Sequence, residues 1–219
     1  QRGGTLSPEE ALALASPLLN ALQYLHGHGL YHRDIKPANV YITEDGRPVL
    51  LDFGAAGRDF DAGEPALGSE GYAAPEQCEA GGRIGPWTDI YGLAATLYRC
   101  CSGVVPVAAR ERRLAVDGGR GDPLLPFEQQ LPAPEFAALA RAVNRGLQLD
   151  PAARPQTITD WQNAFSAAAG RAGAASLSPA VETEGREWLP LTLLGIFSVL
   201  LVSAVVYLFL PDGEYPEGA

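Results

Sequence analysis

His32-Arg33-Asp34-Ile35-Lys36-Pro37-Ala38-Asn39 is the stretch on which the reading of this chain turns. It sets a carboxylate, an ammonium and a carboxamide close together in the chain. Working outward, Val40-Tyr41-Ile42 and Val49-Leu50-Leu51 flank Glu44-Asp45-Gly46, and this pattern predicts a small hairpin. A second polar triplet, Asp52-Phe53-Gly54, follows the hairpin directly. From Gly54 to Gly71 the chain is rich in Gly, Ala and Asp and has little periodicity, so a long loop is expected, ending near Ala74-Pro75-Glu76. Taken singly, an Asp or Asn in a loop is a turn residue or a cap. Taken together and in this order, these residues ask for another explanation.

The three segments resemble the H-R-D-x-K-x-x-N, D-F-G and A-P-E set of protein kinases. Ile35-Lys36-Pro37 with Asn39 is similar to the serine/threonine class, and Gly68-Ser69-Glu70-Gly71-Tyr72-Ala73-Ala74-Pro75-Glu76-Gln77 to the docking end of a bacterial activation loop. Pro86-Trp87-Thr88-Asp89-Ile90-Tyr91-Gly92 resembles the helix whose Asp braces the catalytic loop. Leu149-Asp150-Pro151-Ala152-Ala153-Arg154-Pro155 resembles the segment whose Arg pairs with the A-P-E glutamate, here Arg154 with Glu76. The resemblance runs from about Leu6 to Ala168 and is weakest between Val104 and Pro134.

It implies an α+β fold, a mainly helical kinase C-lobe, and transfer of the γ-phosphate of ATP to Ser or Thr of protein substrates with Mg2+ as cofactor. Phosphoryl transfer depends on positioning and charge neutralisation rather than covalent work. Asp34 would accept the substrate hydroxyl proton. Lys36 would set a positive charge beside the transferring group and the bound nucleotide. Asn39 and Asp52 would offer hard oxygen ligands to magnesium. Asp89, Glu76 and Arg154 would be structural.

Two departures from the family pattern shape the expectation. No G-x-G-x-x-G loop, V-A-I-K-type lysine or helix with its paired Glu precedes Asp34, so residues 1–168 read as a C-lobe without its N-lobe and the chain as a fragment, inactive alone. The alternative is a membrane-tethered pseudokinase or non-catalytic binding module. Between Asp52 and Ala74 the only hydroxyls are Ser69 and Tyr72. Ser69 falls in the docking segment, where the hydroxyl is structural. Asp59, Asp61 or Glu64 is expected to supply the negative charge that Arg33 would otherwise find on a loop phosphate.

Elsewhere the pattern predicts helices. Ser7-Pro8-Glu9-Glu10 combines a cap, a first-turn proline and a capping box, with Leu12, Leu18, Leu19, Leu22 and Leu25 behind it. Pro17 should kink or restart that helix, and Gly27 and Gly29 should end it. A helix opening at Thr88 or Asp89 carries Ile90, Leu93, Leu97 and Cys101 on one face and closes at Gly103. Val104 to Pro134 is expected to be mostly loop, with further helices over Pro134–Leu147 and Thr157–Ala168.

The chain of 219 residues is 47% hydrophobic and 19% charged, enough to bury a core. Its formal net charge of −10, with no basic block, argues against a nucleic-acid partner. Cys78, Cys100 and Cys101 read as small buried hydrophobes in a reducing compartment. His26 and His28 lack a Cys or carboxylate at ligand spacing, so metal binding there is not expected. Residues 169–188 suit a linker. Leu189 to Leu210 is an uncharged apolar run long enough to span a bilayer, with Trp188 and Tyr207 near its ends, and 211–219 form an acidic tail. This predicts a single-pass membrane protein. Arg171 and Arg186 place the kinase lobe on the cytoplasmic side.

Overall fold

The computed structural model describes residues 4–57, 69–163 and 165. The chain divides into two compact units, Gln1–Ser176 and Leu177–Ala219. All described residues belong to the first. The expected linker, the apolar run Leu189–Leu210 and the tail lie outside the described residues. Among the described residues no helix is long and apolar enough to cross a membrane.

Helix α1 (Pro8–Gly27) starts as its sequence dictates. The Ser7 hydroxyl accepts from the Glu10 N–H, and the Glu10 carboxylate accepts from the Ser7 N–H at 2.9 Å. The helix runs unbroken through Pro17, so it does not restart there. An interior proline costs about 3 kcal/mol. Leu18, Leu19 and Leu22 are buried just beyond it, and each such side chain contributes roughly 1.5–3 kcal/mol, so packing outweighs the lost hydrogen bond.

The expected hairpin forms as β1 (Val40–Ile42) and β2 (Pro48–Leu50), antiparallel, with Val40 opposite Leu50 and Ile42 opposite Pro48. Gly46, at φ 82°, supplies the left-handed residue of the turn. A short 3-10 turn, Pro37–Asn39, leads into β1.

Helix α2 (Pro86–Ser102) is the centre of the described residues. It opens at Pro86 behind Gly85, earlier than the expected Thr88 or Asp89, because Pro is favoured at the first helical position. Ile90, Leu93, Leu97 and Cys101 are buried as expected, but so are Tyr91, Ala94, Ala95, Thr96 and Tyr98. A helix apolar on every side belongs inside, and α2 packs between α1 and α5 (Ala137–Gly146). Gly103 ends it in the left-handed conformation, φ 74°.

The stretch expected as loop carries α3 (Ala109–Asp117) and the single turn α4 (Phe127–Gln130). The buried residues of α3 are Ala109, Arg112 and Ala115, and the large one among them is charged, which hides the helix from any apolar periodicity. Its guanidinium donates to both oxygens of Asp122 (2.9 and 2.6 Å), to the Tyr91 hydroxyl (3.0 Å) and to the Leu147 carbonyl (2.9 Å). Pro134–Phe136 is a 3-10 turn ahead of α5. A last helical stretch covers 158–163, with Thr157 capping the Asp160 N–H. Fully buried Trp161 donates from its indole to the Ala142 carbonyl at 2.9 Å.

The cysteines differ from the expectation in part. Cys101 is buried, Cys100 is intermediate, and Cys78 is exposed just after the 3-10 turn Pro75–Gln77.

Candidate active site

The loop between α1 and β1 is held from α2. The Asp89 carboxylate accepts from the backbone N–H groups of His32 (2.9 Å) and Arg33 (2.8 Å), and His26 Nε2 lies 2.7 Å from the same carboxylate. An aspartate in the first turn of a helix also sits at the favourable end of the dipole. The histidine that might have suggested a metal pair therefore completes this brace. Its ring stands 5.2 Å from that of Tyr31, whose backbone bridges to Gly57.

His32 is fully buried and joins the two polar segments. Nε2 donates to the Leu51 carbonyl at 3.0 Å, which fixes the tautomer and leaves Nδ1 to face the Asp34 N–H at 3.4 Å. The Phe53 ring meets the imidazole edge-on at 4.9 Å. The loop before β1 and the strand exit at Asp52 are thus registered through one side chain.

Among the described residues, Arg33 (φ 67°) and Asp52 (φ 61°) are the two non-glycine residues with positive φ. Such conformations cost roughly 1–3 kcal/mol and persist where the surroundings over-determine them. At Arg33 the Asp89 brace is part of that surrounding. At Asp52 the carboxylate accepts from the Gly54 N–H at 3.1 Å, closing a tight local turn.

Asp34 stands at the centre of a polar cluster. Lys36 Nζ donates to its Oδ2 at 2.7 Å, the Ser69 hydroxyl to its Oδ1 at 2.9 Å, and Asn39 Nδ2 to its Oδ2 at 3.0 Å and its carbonyl at 2.8 Å. Lys36 also reaches the Ser69 oxygen at 2.6 Å. Partial burial works to raise the Asp34 pKa. The hydrogen bonds from Lys36 and Ser69, the Lys36 charge and the Asn39 amide outweigh it and hold the carboxyl below its ordinary value. The carboxylate is thus ionised at neutral pH, pre-aimed, and still open to solvent, with about a quarter of its side-chain surface exposed.

The structure brings Asp34, Lys36 and Asn39 together, and ties Asp52 to them through His32. Ser69 belongs to the same cluster. Sequence reasoning placed it in the docking segment as a structural hydroxyl, and only folding reveals that it contacts both Asp34 and Lys36. The acidic residues expected to face Arg33, namely Asp59, Asp61 and Glu64, lie outside the described residues.

The donor set suits a small hard cation. Asn39 spends its amide nitrogen on Asp34, which turns its carbonyl oxygen the other way, and the Asp52 carboxylate is exposed. Two protein oxygens of this kind match the few that magnesium takes when phosphate and water complete its shell.

Behind the cluster, Glu76 and Arg154 form a buried two-point pair at 2.8 and 2.9 Å. The Thr88 hydroxyl donates to Glu76 at 2.8 Å, and Arg154 also donates to the carbonyls of Gln148, Leu149 and Trp87. The Arg154 guanidinium lies over the Tyr91 ring, 4.9 Å from its centre.

Comparison with known proteins agrees with this geometry. The protein kinase domain family model matches residues 1–158. The chain is 36% identical over 163 residues to the serine/threonine-protein kinase RUNKEL of Arabidopsis thaliana, covering 72% of this chain and 12% of that protein. It is 37% identical over 174 residues to PknK of Mycobacterium tuberculosis, covering 73% and 15%. Against PknD of the same species it is 32% identical over 161 residues, covering 72% and 24%. Among solved structures, the PpkA-294 apo form superposes with a TM-score of 0.59 at 33% identity, covering 73% of this chain and 56% of that one. The chain therefore spans about a quarter or less of the length of these curated relatives. With the motif residues, their geometry and the family match all within residues 1–158, the chain belongs to the protein kinase domain family.

Proposed function

We propose that this lobe works in a serine/threonine protein kinase that transfers the γ-phosphate of ATP to Ser or Thr hydroxyls of protein substrates. The observation that carries the reading is the Asp34 carboxylate, ionised and fixed by three donors from Lys36, Ser69 and Asn39.

In this reading Asp34 accepts the proton of the incoming hydroxyl and aims its oxygen along the transfer axis. Lys36, already 2.7 Å from Asp34, keeps a positive charge where negative charge builds on the transferring group and helps hold the nucleotide phosphates. Asn39 and Asp52 hold Mg2+, which when bound neutralises charge on the phosphate oxygens. His32 keeps the two ligand-bearing segments in register, and Ser69 fixes the rotamer of Asp34 from the docking side. Leu189–Leu210 tethers the protein to a membrane by a single span, through the linker 169–188, with this lobe on the cytoplasmic side. Support for that part comes from the uncharged apolar run and from Arg171 and Arg186 on its N-terminal side.

The test is transfer of labelled phosphate from ATP and Mg2+ to a Ser/Thr-rich protein by the native polypeptide carrying this sequence, beside its Asp34→Asn variant. Incorporation lost in the variant supports the reading. Equal incorporation, or none in either with intact folding, replaces it with a membrane-tethered, non-catalytic binding module.

A further inference from the structure

The strained Arg33 is gripped at both of its peptide groups by side chains from two different elements. Its N–H donates to Asp89 of α2 at 2.8 Å. Its carbonyl accepts from Gln77 Nε2 at 2.6 Å. Gln77 is buried, and its own amide oxygen accepts from the Ala74 N–H at 2.9 Å, so the carboxamide is used at both ends. The carbonyl that Gln77 holds belongs to the Arg33–Asp34 peptide, and the N–H of that same peptide faces His32 Nδ1. Fixing the oxygen of a planar peptide fixes its nitrogen, and with it the start of the next residue. That next residue is Asp34.

We propose that Gln77 is a positioning residue: its carboxamide locks the Arg33–Asp34 peptide plane to the Ala74–Gln77 turn, so the direction of the Asp34 side chain depends on how the docking segment is seated. The proposal rests on the phosphotransfer reading only for its catalytic consequence. The clamp itself is a matter of geometry. Ser69 acts on the Asp34 carboxylate from one end of the docking segment, and Gln77 acts on the Asp34 backbone from the other. A substrate that settles the segment would thereby settle the base.

Gln77→Glu separates this role from simple packing. A glutamate keeps the acceptor for the Ala74 N–H and nearly the same shape, but it cannot donate to the Arg33 carbonyl while ionised. Gln77→Leu removes both hydrogen bonds. The experiment uses the native polypeptide and has two arms. In amide hydrogen exchange, Gln77→Glu is expected to lose protection over residues 32–36 while α2 and α5 keep theirs. In phosphotransfer, kcat is expected to fall about ten-fold, the scale of one lost charge-free hydrogen bond, with the KM for ATP unchanged. Wild-type exchange over residues 32–36 would overturn the clamp. So would protection lost equally across α2 and α5, which would mark Gln77 as a packing residue. If Gln77→Glu is too unstable to purify, Gln77→Leu is measured in its place with the same two criteria. Should the wild-type protein transfer no phosphate, the kinase activity is refuted on its own, and the exchange arm still decides the clamp.

Discussion

Arg154 reaches back 78 residues along the chain to meet Glu76 in a parallel two-point ion pair, buried at both ends. Every other oxygen the guanidinium touches is a backbone carbonyl, from Trp87, Gln148 and Leu149, so one side chain ties the docking segment, the start of α2 and the turn after α5 together. Removing one partner of a buried pair leaves the other charge stranded, at a cost of about 3–5 kcal/mol. Arg154→Met is therefore expected to lower the thermal midpoint by roughly 10 °C. A midpoint within a degree or two of wild type would show that the pair contributes no net stability.

Two glycines separate hard clashes from soft ones. A Cβ on Gly82 would lie 1.9 Å from the Glu76 carbonyl oxygen, whereas one on Gly57 would lie 2.8 Å from the end of the Arg33 side chain. Backbone cannot step aside, but a guanidinium can. Gly82→Ala is expected to cost roughly 1–3 kcal/mol or more, and Gly57→Ala well under that. Urea denaturation of the two variants ranks them directly, and equal midpoints would contradict this account of the packing.

The lowered Asp34 and Asp122 pKa values predict an acid limb of stability. For a carboxyl whose folded pKa is depressed, the stabilisation is complete above the unfolded value of about 3.8 and is lost as pH falls below it, through the folded value. For Asp122, burial opposes the shift and the hydrogen bonds and charge of Arg112, with the Leu124 N–H, outweigh it. Denaturation midpoints from pH 6 down to pH 2.5 should fall less steeply for Asp122→Asn than for wild type. Parallel curves would assign the acid limb to other carboxylates.

Thiol labelling offers a chemical check on the fold. Burial, with Cys100 beside it, pushes the Cys101 thiol up to about 12, so almost none is thiolate at pH 8. Cys78 is also raised, by burial and by Glu76 and Glu79, but it is exposed. Mass spectrometry after brief iodoacetamide treatment should find Cys78 modified first and Cys101 only on unfolding. Early modification at Cys101 would place the end of α2 outside the core.

What the sequence revealed, and what it concealed, divides along a physical line. Ser7 to Glu10, the β1–β2 turn and Ile90 to Cys101 were legible because each obeys a local rule of capping, turn chemistry or spacing. Asp34, Lys36, Asn39 and Asp52 could be picked out because they lie in compact motifs. Helix α3 was hidden because its large buried residue, between Ala109 and Ala115, is a charged Arg112, whose partners Tyr91, Asp122 and Leu147 are spread over the chain. Ser69 and Gln77 were hidden for the same reason: their partners at Asp34 and Arg33 are more than thirty residues away, and only the closed fold brings them near.

The two left-handed residues, Arg33 and Asp52, have a consequence for anyone who would make this protein sturdier. A glycine at either position would relax the backbone, and a screen that rewards only heat resistance would favour it. Asp52→Gly would discard the carboxylate proposed to hold Mg2+, and Arg33→Gly would let the peptide ahead of Asp34 swing. Selection for robustness alone would therefore dismantle the chemistry first at the places where the chain is least comfortable.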